Sequence, residues 1–455
     1  MSSKVKILAL CDSPTITTGF ARVAQNLFKR WHDKAGAAID VWGIGFVGWH
    51  YRQAPYVDNL FPAYVHGHWS DTQRLELFLT QLQTGGYTHV WILQDTFMLS
   101  AKNFPETLKK VCDAGGIRSM LYFPVDAPLE PAWCEIIEAV DVAVAYTEYG
   151  KAEALAYVKG KEIAVIPHGV DTRVYRPLPL SRGELRKKLW TTPWLDEKDF
   201  LMLNVNVHQR RKDVTRSLEI LAELKRGGPP AGGGRWKLLM HMGETSGEGV
   251  SLEAVARQLG LEIHEDWGHH DAFFRQGNAT LGEETLVEIY NAADLYLTTT
   301  LGEGWGLGIT EALACGCGIA APLHTSCQEI LTMVERVGGP LLAQRLVGLP
   351  LEAHGAVADM DNSRWRRRVR VAEAANLIRD YQAAGYSPEG MMWRHRLPLM
   401  DWPKVEQWLS WDRVAGEMWR RLTAEKKTPV KQTPSSKDQA PEKPQEPNIE
   451  THQTV

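Results

Sequence analysis

One local pattern repeats along most of this chain: a short apolar run, a loop carrying glycine or polar residues, then a segment of helical period. Val5 to Leu10 is such a run, and the polar loop Cys11–Thr18 ends it. Gly19 then opens a helical pattern with Phe20, Val23, Ala24 and Leu27 on one face. Further strands are expected at Asp40–Ile44, His89–Leu93, Ser119–Phe123, Val142–Tyr146 and Ile163–Ile166, with helices at Thr72–Gln83 and Phe104–Ala114 between them. Such alternation predicts a parallel sheet covered on both faces.

The stretch Asp171–Pro193 carries Pro177, Pro179 and Pro193 among many charges and reads as a connector. A second series follows, with strands at Phe200–Val205, Trp236–Met240, Glu262–Asp266, Leu295–Thr298 and Gly318–Ala321. Helices are expected at Val214–Lys225, Leu252–Leu259 and Glu283–Ala292, and Gly227–Gly234 as a surface loop. The fold class is therefore α/β, with two doubly wound, Rossmann-like domains facing a cleft: residues 1–177 and 178–400. Residues 401–425 are expected to form a Trp-rich terminal helix packing back across both. The aromatic-free segment 426–455, dominated by Pro, Lys, Glu, Gln and Thr, is expected to be disordered.

A length of 455 residues suits two domains, and a 44% hydrophobic fraction can fill their cores. A net charge of −4 excludes long-range attraction of the whole molecule to nucleic acid or anionic lipid. Six cysteines are too few for a disulfide scaffold at this length. The first ten residues read as a strand rather than a signal peptide, and no apolar stretch approaches the roughly 20 residues that span a bilayer. The expected location is the cytoplasm.

The most informative stretch is LGEGWGLGITEALACGCG, Leu301–Gly318. Gly304, Gly306 and Gly308 allow close backbone approach to a ligand. A helix starting near Leu307 or Gly308 offers free N–H groups and a dipole suited to phosphate. Glu311 would sit about one turn into that helix, where a carboxylate can accept hydrogen bonds from the two hydroxyls of a ribose. Glu303 approaches from before the turn.

The Glu-x7-Glu spacing of Glu303 and Glu311 within EGWGLGITEALACG resembles the signature of the retaining family 4 glycosyltransferases of GT-B fold. IPHGVDTRVYRP (Ile166–Pro177), AYTEYGKAEA (Ala145–Ala154) and LVEIYNAADLYLTTT (Leu286–Thr300) are similar to further blocks of that family, in its order. The resemblance implies a nucleotide-diphosphate sugar donor in the second domain, an acceptor in the first, and neither metal nor cofactor. It gives Glu303 the transferred sugar and Glu311 the ribose. Gly304 and the backbone amides of Trp305, Gly306 and Leu307 would meet sugar or phosphate, and Gly19 would lie near the phosphates. Lys212 matches the diphosphate lysine, stabilising the charge that develops on the leaving nucleotide. No Asp-x-Asp is identified in a loop placed for a metal-held diphosphate.

One departure concerns the arginine usually found five residues before that lysine. The segment here is NVNVHQRRKD, and the position is Val207; Arg210 or Arg211 could substitute. Asp126, in YFPVDAPLEPAW, follows a strand and either orients an acceptor hydroxyl or serves a turn. Asp95 stands in a similar place, and His168 is expected to pack the connector. The run Arg364–Arg370 (RWRRRVR) reads as a solvated helix face, with peripheral membrane or polyanion contact as the alternative. Trp393, Trp402, Trp408, Trp411 and Trp419 are expected to pack the terminal helix. The acceptor is left open between glycan, lipid, protein and small molecule. Two rival readings are a non-catalytic nucleotide-sugar or glycan-binding protein and a transferase acting on modified nucleic acid.

Overall fold

A computed structural model describes residues 5–14, 18–43, 63–67, 72–100, 103–190, 194–245, 250–269, 282–358, 364–385 and 402–425. In the N-terminal half the strands are β1 (Lys6–Cys11), β2 (Ala38–Gly43), β3 (Ala63–Gly67), β4 (His89–Leu93), β5 (Arg118–Phe123), β6 (Val142–Ala145) and β7 (Ile163–Val165). Helices α1 (Gly19–Ala35), α2 (Thr72–Thr84), α3 (Phe104–Gly115), α4 (Pro131–Ala139) and α5 (Glu148–Leu155) connect them. The strands form one parallel sheet in the order β3-β2-β1-β4-β5-β6-β7.

The second half follows helix α6 (Arg182–Leu189). Its strands are β8 (Phe200–Val205), β9 (Trp236–His241), β10 (Trp267–His269), β11 (Leu295–Leu297), β12 (Gly318–Pro322) and β13 (Leu346–Leu349). Helices α7 (Thr215–Arg226), α8 (Leu252–Gln258), α9 (Glu283–Ala292), α10 (Leu307–Ala314) and α11 (Thr325–Ala343) alternate with them. This sheet is also parallel, in the order β10-β9-β8-β11-β12-β13. An antiparallel ribbon, β14 (Leu351–Ala358) with β15 (Trp365–Val369), is followed by α12 (Val371–Ala384).

In each sheet the strand order reverses beside the first strand: between β1 and β4, and between β8 and β11. Loops leaving the carboxyl ends of such a pair diverge to opposite sides and open a crevice. The strands themselves are buried on both faces, as Ile7, Leu8, Ala9 and Leu10 show in β1. Val23, Ala24, Leu27, Phe28 and Trp31 form the inner stripe of α1, which Thr18 caps by accepting from the Ala21 amide.

Three expectations need correction. The strand expected at Glu262–Asp266 is a turn, closed by Asp266 N–H to the Glu262 carbonyl (2.8 Å) and Glu262 N–H to Asp266 Oδ2 (2.8 Å); the strand begins at Trp267. The connector holds helix α6, whose Ser181 and Glu184 cap each other reciprocally. The arginine run is strand, not helix: Trp365–Val369 pairs antiparallel with Leu351–Ala358, and exposed Trp365 and Arg367 stand on either side of buried Arg366.

The chain ends in α13 (Trp402–Leu409) and α14 (Trp411–Thr423). Helix α13 packs on α11 of the second half, and α14 on α1 and β5 of the first. Trp31 Nε1 donates to the Ala415 carbonyl (2.9 Å), and its ring lies 5.9 Å from that of Trp419. Buried Trp411 leaves no room at Gly169, where a Cβ would stand 2.6 Å from the indole. The segment 426–455 and Trp393 lie outside the described residues. No helix among the described residues is long and apolar enough to cross a membrane.

Candidate active site

The loops at the two reversal points bring most of the sequence candidates together. The turn after β8, Arg210–Lys212, is pinned to the loop after β11: Leu301 N–H donates to the Arg211 carbonyl (2.8 Å), and Arg211 Nη1 to the Gly302 carbonyl (2.7 Å). Ser326 Oγ holds the next stretch by donating to the carbonyls of Glu303 and Trp305, both at 2.8 Å. Gly306 then enters α10 at φ +94°, a backbone conformation that side chains rarely adopt. Gly304 is needed for another reason, since a Cβ there would come within 2.5 Å of Pro124 in the first half. That glycine therefore permits protein–protein approach across the crevice, where the sequence suggested ligand approach.

Glu303 is 7% exposed and accepts from Lys212 Nζ at 2.5 Å, with Arg211 Nη1 3.7 Å from its other oxygen. Burial alone would disfavour the carboxylate, but Lys212 and Arg211 outweigh it and hold Glu303 below the usual range. Burial lowers Lys212 in turn, against the attraction of Glu303. Asp126 joins the same network: Arg211 Nε lies 3.4 Å from its Oδ2 and Arg366 Nη2 3.0 Å from its Oδ1. Against the cost of burial, Arg211 and Arg366 keep Asp126 ionised below its usual range.

Glu311 lies on α10, 4% exposed. It accepts from Tyr290 Oη at 3.1 Å and pairs with Arg22, which crosses from α1 of the first half. Gly19 begins that helix, and a Cβ there would stand 3.7 Å from Leu307 Cδ1. Gly19 from the first half thus meets Leu307 and Glu311 from the second across the crevice, and Asp126, Lys212 and Glu303 share one ion network.

Arg210 and Val207 are exposed, Val207 at 65%, so of the residues near Lys212 it is Arg211 that turns inward. His168 is buried among Tyr122, Tyr146, Trp305 and Trp411, and burial pushes it down to about 3; it is a packing residue. Within the arginine run, Arg364 pairs with Glu130 (2.6 Å), Arg368 with Asp213 (2.6 Å) and Arg370 with Glu373 (2.8 Å). Four of its five arginines, Arg366 included, are therefore engaged with acids of the chain itself.

Sequence reasoning missed three participants. Arg366 is hidden in a run that reads as solvated charge, and nothing local sets it apart from Arg364, Arg368 or Arg370. Arg22 and Tyr290 carry no local mark; only the packing of α1 and α9 against α10 brings them to Glu311. Among the described residues, no cluster of three or more His, Cys, Asp or Glu side chains could hold a metal. The chain does contain one Asp-x-Asp, Asp359-Met360-Asp361, which lies outside the described residues.

No family model matches the sequence. A curated relative, the D-inositol 3-phosphate glycosyltransferase of Segniliparus rotundus, is 26% identical over 255 residues, which cover 54% of this chain and 46% of that protein's length. The chain thus matches less than half of the relative. Several solved structures share the whole architecture. A glycosyltransferase from Rickettsia africae superposes with a TM-score of 0.64 at 13% identity, covering 93% of this chain and all of the other. The E. coli trehalose-6-phosphate protein bound with UDP-2-fluoro glucose gives 0.61 at 13% identity, over 92% and 99% of the two chains. Sucrose-phosphate synthase from Thermosynechococcus elongatus gives 0.59 at 14%, also over 92% and 99%.

Proposed function

From its GT-B fold, two Rossmann-like halves facing across a crevice, we propose that this chain is a retaining glycosyltransferase using a nucleotide-diphosphate sugar. One observation carries the reading: Glu303 and Glu311 flank the start of α10, and each already holds a cation, Lys212 and Arg22 respectively. A diphosphate seated at the helix start would lie between them, with the sugar toward Glu303 and the ribose toward Glu311. The E. coli neighbour solved with UDP-2-fluoro glucose is compatible with such a donor.

In this reading the chain contributes position and charge. Lys212 stabilises the leaving diphosphate, and the Leu307 end of α10 adds its free amides. Glu303, held ionised, accepts from sugar hydroxyls. Asp126, held ionised between Arg211 and Arg366, accepts from the acceptor hydroxyl and orients it. The acceptor attacks from the face the nucleotide leaves, so configuration is retained. Lys212 makes a metal unnecessary. Six buried cysteines without a disulfide suit a reducing cytoplasm.

The test is to incubate the full chain with UDP-, GDP- and ADP-sugars, with and without candidate sugar acceptors, and to follow nucleotide release. Release from one donor that rises with an acceptor supports transfer. Tight donor binding with no release under any condition supports the non-catalytic reading, which exposed Val207 favours.

A further inference from the structure

We propose that Arg22, from the first half of the molecule, is the second cation for the donor diphosphate, parked on Glu311 until a ribose takes that carboxylate. The inference rests on the donor-site reading above and extends it to the opposite wall of the crevice.

The ligand-free site is neutralised in pairs. Lys212 sits on the acid proposed for the sugar, and Arg22 on the acid proposed for the ribose. The diphosphate of such a donor joins sugar to ribose, so it must pass between these two pairs. When sugar and ribose hydroxyls occupy Glu303 and Glu311, both cations are left beside the phosphates.

The other nearby cations are less available. Arg211 is held by the Gly302 carbonyl, Asp126 and Glu303 together. Arg366 is buried on Asp126, with its Nη1 also donating to that residue's carbonyl. Arg210 is exposed. Arg22 differs in having Glu311 as its carboxylate partner and in keeping about a third of its side chain exposed, at 35%.

Its mounting also suits a short movement. Helix α1 is fixed by the buried Val23, Ala24, Leu27 and Phe28, so only the arginine side chain need turn. Arg22 lies one turn after Gly19, and Gly19 abuts Leu307, the first residue of α10. A guanidinium released from Glu311 therefore stays near the helix start where phosphate would bind. Its planar fork can hold two phosphate oxygens at once.

This exchange predicts effects of opposite sign for two probes. A nucleoside has ribose but no phosphate, so it must displace Arg22 with nothing to replace the lost ion pair. A nucleoside diphosphate displaces Arg22 and then takes it. The experiment is calorimetry of the full-length wild type, Arg22→Ala and Arg22→Lys with UDP, GDP and ADP and with uridine, guanosine and adenosine, using the base the wild type prefers. Circular dichroism and melting temperature establish that each variant is folded. Arg22→Ala should weaken the diphosphate by about tenfold or more, the scale of one lost charged hydrogen bond, while the nucleoside binds at least as well as before. Arg22→Lys should recover most of the diphosphate affinity.

Unchanged or improved diphosphate binding in Arg22→Ala would show that Arg22 only obstructs Glu311, and the proposal would be wrong. An equal loss for nucleoside and diphosphate would also overturn it, pointing to damaged packing. If Arg22→Ala does not fold, the same comparison is made with Arg22→Lys, in which an equal loss for both probes overturns the proposal. If the wild type binds none of the three diphosphates, the donor-site reading itself fails and takes this inference with it.

Discussion

Arg366 Nη2 stands 3.0 Å from Asp126 Oδ1, across 240 residues of sequence and from one half of the molecule to the other. The ribbon β14–β15 carries the guanidinium, and the loop after β5 carries the carboxylate. In the proposed reading this pair fixes Asp126 toward the acceptor, and Arg211 ties it to Glu303 on the donor side.

Arg366→Ala should therefore lower transfer about 10- to 100-fold while leaving donor KM close to wild type, because Asp126 loses its fixed orientation. Steady-state kinetics with donor and acceptor varied separately checks the split. A variant that raises donor KM alone would place Arg366 in the donor site instead.

Lys212→Ala should lower kcat by about 10²- to 10³-fold through loss of charge stabilisation at the leaving group. Glu311→Ala should mainly raise donor KM, since ribose contacts exist before and during reaction. Glu303→Ala should reduce kcat more than donor affinity. Unchanged kinetics in all three would move the donor site elsewhere. Activity that disappears with EDTA and returns with magnesium or manganese would turn attention from Lys212 to Asp359 and Asp361.

Glu303 and Asp126 have folded-state values depressed by their cations. A depressed carboxylate contributes stability that is present above its unfolded value, about 4, and is lost as pH falls through the folded value. Glu303→Gln should therefore narrow its stability gap to the wild type as pH is lowered from 6 to 3, read from urea midpoints. A gap that widens toward acid would contradict these assignments.

Asp12 behaves oppositely. Burial pushes it up to about 6, against a hydrogen bond from Thr18 Oγ1, and its Oδ1 is buried with no partner among the described residues. A raised value adds stability below the unfolded value that is lost as pH rises through the folded one. Asp12→Asn should accordingly gain stability against the wild type between pH 5 and pH 8, by about 1.4 kcal/mol, read from melting temperatures. Equal melting temperatures of variant and wild type at both pH values would refute the effect.

Gly169→Ala should destabilise the fold by roughly 1–3 kcal/mol, because the added methyl meets the indole of Trp411. Thermal melts of the full chain measure this directly. A neutral result would mean α14 can withdraw from the connector without cost.

The sequence made most of the two parallel sheets readable because their inner strands are largely apolar and the following helices show their own period, while β3, β10 and β13 went unread. That Glu303, Lys212 and Asp126 lie together was legible for a related reason: each sits in a loop that follows a strand of its sheet. Arg22 was not, since its pairing with Glu311 depends on how α1 meets α10, which no local pattern encodes. The arginine run misled because dense charge reads as an exposed helix face, whereas pairing with Leu351–Ala358 makes it a ribbon strand. The turn at Glu262–Asp266 misled because an acidic, half-apolar pentapeptide fits a strand until side-chain capping closes it.

The two passages of the chain between the halves run side by side: Val170 N–H donates to the Leu409 carbonyl at 2.8 Å, and Val170 bridges Ser410. Elsewhere, Glu329 on α11 accepts the amides of Glu148 and Tyr149 at the start of α5, at 2.9 and 3.1 Å. The molecule is thus built like a book, with a double-stitched spine and a clasp joining its covers. Separating the covers would have to release Glu329 from the start of α5, break the Arg22–Glu311 and Arg366–Asp126 pairs, and bend both stitches together.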